Sequence, residues 1–250
     1  MGPHPRGLAQ PPAAPESGGA VRGGRLLGRP AGREVRSDLP TGPDTSCLST
    51  SVTTPEAYRL SFVVGGLLAT EATIAAPLYL ELRDWAAVRQ ALNAGNLLHA
   101  RTRSTAVRLT RELIQRLSVL TDAEIAYLDT APGPDRLHLM WVALCRHYLL
   151  VAEFAQEVVH DHYLLGVSRL VPADFERFWD SKAMWHAELE ETRPATRTKL
   201  RTNLFLALRQ SGMLADDATI VSPLLSPEVL DFLDARTPSD RRFFPVGGSL

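Results

Sequence analysis

Apolar positions divide the chain into two regimes. Up to about residue 54 they follow no period, and from Pro55 onward they recur at helical spacing with short polar breaks. "TPEAYRL" sets Thr before Pro, as at an N-cap and first helical position, and predicts a helix opening the ordered part. "TEATIAAPLYLEL" continues with helical period, separated from what precedes it by Gly65-Gly66. "DWAAVRQAL" predicts a short amphipathic helix capped by Asp84, and "NAGNLL" a turn. In "RTRSTAVRLTRELIQRLSVL", Leu109, Leu113, Leu117 and Leu120 form one stripe of a strong helix. "TDAEIAYLD" reads as another capped helix, ended by "APGPD".

Residues 136–165 read as a long apolar helix or helix pair, the central packing element, interrupted by Arg146, His147, Glu153 and Glu157. A Pro-led helix follows in "VPADFERFWDSKAMW". "RPATRTKLRTNLFLALRQSG" repeats the stripe with Leu200, Leu204 and Leu208, and Gly212 suits its C-terminal cap. Met213-Leu214 and Thr219-Ile220-Val221 flank "ADDA", which predicts a short β-hairpin. "SPEVLDFLDA" closes the series with one more capped helix.

The expected fold is therefore mainly α. Residues 1–54 form a disordered tail, because they hold nine of the 17 glycines and eight of the 18 prolines and offer little to bury. Residues 55–130 form a helix-turn-helix-like unit and 131–170 the central packing helices. Residues 171–250 form a winged-helix-like unit with the hairpin as its wing.

The two Leu-striped helices share a pattern. Thr105, Arg108, Leu109, Leu113 and Leu117 match Thr196, Lys199, Leu200, Leu204 and Leu208 in type and spacing. Each follows an acidic and aromatic start, "DWAAV" or "DFERF", as a duplicated helix-turn-helix would leave behind.

Charge sharpens this picture only locally. The formal net charge is -1, which gives no hint of a polyanionic partner. Yet Arg101 to Arg116 holds five arginines against Glu112 alone, and Thr192 to Ala215 holds five bases and no acid. On a helical wheel Ser104, Arg108, Arg111 and Gln115, and in the second helix Thr198, Lys199, Thr202 and Arg209, face away from the leucines. Arg and Lys neutralise phosphates, and short hydroxyls donate to phosphate oxygens. The candidate nucleic-acid contacts are Arg101, Arg103, Ser104, Arg108, Arg111 and Gln115 in the first helix. In the second they are Arg197, Thr198, Lys199, Arg201, Thr202 and Arg209.

Other chemistry is thin. There is no Walker loop, Gly-x-Gly-x-x-Gly, His-Glu-x-x-His or Gly-x-Ser-x-Gly, so no catalytic residue is assigned. His160 and His162 point to nearly opposite sides of a helix, a poor metal pair, and no metal or cofactor is expected. Cys47 and Cys145 offer no disulfide framework and suit a reducing cytoplasm. Trp141, Tyr148, Phe154, Phe175, Phe178, Trp179 and Trp185 are assigned to the core by their helical spacing. Leu60 to Leu80 carries only Glu71 as a charge, but that carboxylate at the bilayer centre would cost about 3 kcal/mol, and no membrane span is expected.

The blocks "YRLSFVVGGLL", "LYLELRDWAAVR", "NLLHARTRSTAVRLTREL", "LMWVALCRHY", "WHAELEETRPATRTKLR" and "LLSPEVLDFL", in this order over about residues 57–246, resemble the BrxA family of bacteriophage exclusion (BREX) systems. The resemblance implies a largely helical, non-enzymatic defence protein that binds double-stranded DNA through winged-helix-like elements. Its implied partners are a methyltransferase, an ATPase and an alkaline-phosphatase-like protein of the same cluster. It assigns no residue-level site. A protein-interaction scaffold in the same complex, or an RNA-binding protein like an antitermination factor, would present the same basic faces.

Overall fold

The computed structural model describes residues 57–62 and 66–247; the expected tail and Cys47 lie outside the described residues. The fold is mainly helical. In chain order the α-helices are α1 (Ala69–Leu82), α2 (Trp85–Ala94), α3 (Arg103–Leu117), α4 (Asp122–Thr130), α5 (Gly133–His147) and α6 (Leu149–Phe154). A π-helical stretch (Ala155–His160) leads into α7 (Asp161–Leu164). Then come α8 (Pro172–Ala183), α9 (Ala187–Glu190), α10 (Pro194–Gln210) and α11 (Pro227–Asp234), and a 3₁₀ turn (Asp240–Phe243).

Local chemistry accounts for most of these limits. The Asp84 carboxylate accepts from the amides of Ala86 and Ala87 and starts α2. Thr121 and Glu124 close a reciprocal capping box at α4. Ser226 caps α11. At the end of α10, Gly212 takes φ +77°, while the amides of Gly212 and Met213 return to the carbonyls of Arg209 and Leu208. The break expected at the glycine pair is found at Gly66, where φ is +76°.

The helix expected at the start of the ordered part does not form over 57–62. Tertiary bonds hold that segment in another shape: the Tyr58 amide donates to Glu188, its hydroxyl donates to Glu153, and Asn203 donates to the Phe62 carbonyl. Burial and Glu153 push the Tyr58 hydroxyl far above the usual tyrosine range.

The core is continuous from Tyr58 to Phe244, with α5 at its centre. Leu139 to Cys145 are all at most 2% exposed, so this stretch of α5 is apolar and buried all round, as in a central helix. At Tyr148 the chain leaves helical geometry, and the helix pair on either side turns through 116°. Neither Pro nor Gly stands there. The Tyr148 hydroxyl donates to the Glu112 carboxylate at 2.8 Å, and Glu112 in turn holds Arg116. Arg116 is 1% exposed and also donates to the Gly66 carbonyl. Arg116 is one of the five arginines of the basic stretch, but seven residues after Leu109 it shares the leucine face, and the structure buries it.

Two further expectations change. Trp185 is 76% exposed, because α8 ends at Ala183 and the following turn rotates Met184 and Trp185 outward. The expected hairpin is reduced to isolated antiparallel bridges, Leu214 with Ile220 and Arg169 with Thr219. Ala218 at φ +68° makes a tight reversal, and Ser222-Pro223 ends pairing because proline has no amide to donate. Among the described residues no single helix is long and apolar enough to cross a membrane.

Candidate nucleic-acid interface

The corner between α2 and α3 is braced from behind. Tyr79 of α1 stacks on Trp85 at 4.0 Å, and its hydroxyl donates to Asp122 of α4. Arg83 reaches the same carboxylate at 2.9 Å. The Asn96 side chain donates to the Ala100 carbonyl and accepts from the Ala100 amide, which fixes the connecting turn. Thr102 then caps α3, accepting from the Thr105 amide.

On this corner the Leu stripe behaves as the spacing predicts. Leu113 and Leu117 are fully buried and Leu109 is half-buried. The opposite face is open: Arg101, Arg103, Ser104, Arg108 and Arg111 are exposed, and Gln115 is half-buried. None of these four arginines pairs with a carboxylate among the described residues. Arg101 and Arg103 border a cavity of about 660 Å³ between the end of α2 and the start of α3. Gln90, Asn93 and Asn96 line it from the other side. Asn93 Oδ1 is buried there without a hydrogen-bond partner. These amides escaped the sequence reading because they carry no charge. Their signal was the spacing of Gln90 and Asn93 on the polar face of α2.

The second helix is arranged differently. Leu200, Leu204 and Leu208 are buried to 1% exposure or less, as expected. Thr198, Lys199, Thr202 and Arg209 are exposed. Arg197 and Arg201, however, turn sideways onto α8. Glu176 holds both of them, and Arg197 also reaches Asp180 at 2.7 Å. The Arg197 guanidinium lies over the Trp179 ring, 5.4 Å from its centroid. These two arginines are spent on joining α8 to α10. The reversal beyond α10 carries Asp216 and Asp217, both exposed.

The matching starts of the two helix pairs do not occupy matching helical positions. Asp84 stands at the N-cap of α2, whereas Asp174 lies inside α8 and reaches back to the Val171 amide. A short helix, α9, intervenes in the second pair alone. Among the described residues no group of three or more His, Cys, Asp or Glu is arranged to hold a metal ion.

Comparison with known proteins places this arrangement. A crystal structure of an uncharacterized protein from Magnetospirillum magneticum matches with a TM-score of 0.67 at 20% identity, over 76% of this chain and all of that one. The BREX protein BrxA of Escherichia coli O9:H4 (strain HS) is 26% identical over 148 residues, 59% of this chain and 70% of that protein. The BrxA family profile matches residues 56–237, which include the braced corner, the central helix and α10, and the chain belongs to the BrxA family.

Proposed function

We propose that this protein is a DNA-binding accessory component of BREX phage defence, without catalysis of its own, and that the α2–α3 corner is its principal contact with duplex DNA. Family membership points to phage defence. The observation that carries the DNA reading is the exposed, carboxylate-free set of Arg101, just before α3, and Arg103, Arg108 and Arg111 on that helix. Such a set meets successive phosphates, and an arginine entering the major groove can address guanine with two parallel hydrogen bonds.

Helix α10 is a secondary contact in this reading. Lys199, Thr198, Thr202 and Arg209 face outward, and the bridged segments around it follow the order of a reduced winged helix. Asp216 and Asp217 at the tip would be repelled by phosphate, which weakens the wing as a backbone clamp. Cytoplasmic DNA is the expected partner, beside the methyltransferase, ATPase and phosphatase-like proteins of the same system.

A gel-shift titration of the full chain at about 50 and 200 mM salt tests this, since phosphate-driven binding weakens steeply over that range. The exposed Met184–Trp185 pair favours a second reading, a protein scaffold within the complex. Absence of a shift at the lower salt, with co-purification of a cluster partner, would support the scaffold instead.

A further inference from the structure

A second cationic site lies away from the α2–α3 corner. A cavity of about 440 Å³ opens between the Ala57–Arg59 segment, the end of α5, the start of α6 and the chain leading into the 3₁₀ turn. Its size is within the range of small-molecule sites. Its ionic and imidazole lining is Arg59, Arg146, His147, Arg236, Arg242 and Asp240.

The carboxylates here are already engaged. Asp240 receives Arg146 at 2.7 Å, and Arg146 also reaches Glu124 at 2.8 Å. Glu112, behind His147, is held by Arg116 and Tyr148. Three guanidiniums are left largely unspent. Arg59 has no carboxylate partner among the described residues. Arg236 has only the Val119 carbonyl, at 3.3 Å. Arg242 stands 3.7 Å from the shared Asp240, donates to the Pro238 carbonyl at 3.4 Å and lies over the Phe243 ring, while its Nε is buried with no hydrogen-bond partner. An unmet buried donor of this kind is costly unless something fills the site.

The number and spread of these donors select the ligand. A planar carboxylate is saturated by one or two arginine forks, as Glu176 is by Arg197 and Arg201. Three arginines approaching from two chain segments, Arg59 from one and Arg236 and Arg242 from the other, suit a tetrahedral group with more acceptor oxygens and more than one negative charge. Val119, Leu149 and Ala152 give the cavity an apolar wall, on which an attached ring could rest.

We propose that this cavity binds a small polyphosphate, free or carried on a nucleoside, through Arg59, Arg236 and Arg242. The site is independent of the DNA reading, because none of its residues belongs to α3 or α10.

The test is calorimetric titration of the full-length protein with pyrophosphate, ADP and ATP, repeated on Arg59→Ser with Arg236→Ser. Both residues are exposed, so the variant should melt as the parent does. Saturable binding of at least one probe, weakened roughly tenfold or more in the variant, is the expected result. Arg108→Ala with Arg111→Ala should bind the same probe with unchanged affinity. No saturable binding at millimolar probe, equal binding by parent and the Arg59/Arg236 variant, or a loss confined to duplex DNA would each overturn the proposal.

Discussion

Arg201 Nη1 lies 2.5 Å from Glu176 Oε1, a bridge from α10 to α8. The other Glu176 oxygen takes Arg197. One carboxylate thereby ties up two of the four bases on α10, while the arginines exposed on α3 have no carboxylate partner among the described residues.

This asymmetry predicts a split between two pairs of substitutions. Arg108→Ala with Arg111→Ala should weaken duplex binding and lower the salt slope by roughly 1 to 2 units, with little change in stability. Arg197→Ala with Arg201→Ala should leave the slope near the parental value and cost about 1 kcal/mol of stability, as a partly exposed network does. Binding isotherms across a salt series and urea melts read both. A reversed pattern would move the interface to α10.

The buried leucines set a second expectation. Leu113 and Leu204 are at most 1% exposed, so Leu113→Ala and Leu204→Ala should each cost about 2 to 5 kcal/mol. Chemical denaturation measures this. A loss well under that range at either site would mean that its helix is turned differently on the core.

The Glu112–Arg116 pair is buried, with side chains 4% and 1% exposed. Arg116→Met would leave the Glu112 carboxylate without its cation, and a cost of about 3 to 5 kcal/mol is expected. Adding Glu112→Gln should recover part of it, because the amide carries no charge while still accepting from Tyr148. Urea titration of the parent, single and double variants completes the comparison.

Acid should act in two stages. Burial holds the imidazoles of His138 and His147 below the usual value of 6.5. The unfolded chain therefore takes up these protons first, and stability falls as pH drops through 6.5. Burial pushes the Glu124 carboxyl up, but hydrogen bonds from Arg146 and Thr121 outweigh it and hold the group below 4.5. Its contribution is present above 4.5 and is lost as pH falls through the lower folded value. Thermal melts from about pH 8 to pH 3 should show a gentle decline followed by a steeper one. His138→Gln should flatten the first, and a melting temperature constant from about pH 7 to pH 5 would contradict it.

The sequence by itself determined the helical class, the caps at Asp84, Thr121 and Ser226, the glycine breaks at Gly66 and Gly212, and the inward turn of both leucine stripes. Each of these follows from interactions within a few residues or from a simple helical period, which a linear text preserves. Tertiary structure decided what depends on partners distant in sequence. At the bend the Tyr148 hydroxyl is held by Glu112, and the non-helical residues 58–62 are held by Glu188, Glu153 and Asn203. The same holds for the basic faces: a wheel gives the direction of an arginine, but only the neighbouring helix determines whether a carboxylate such as Glu176 is waiting there.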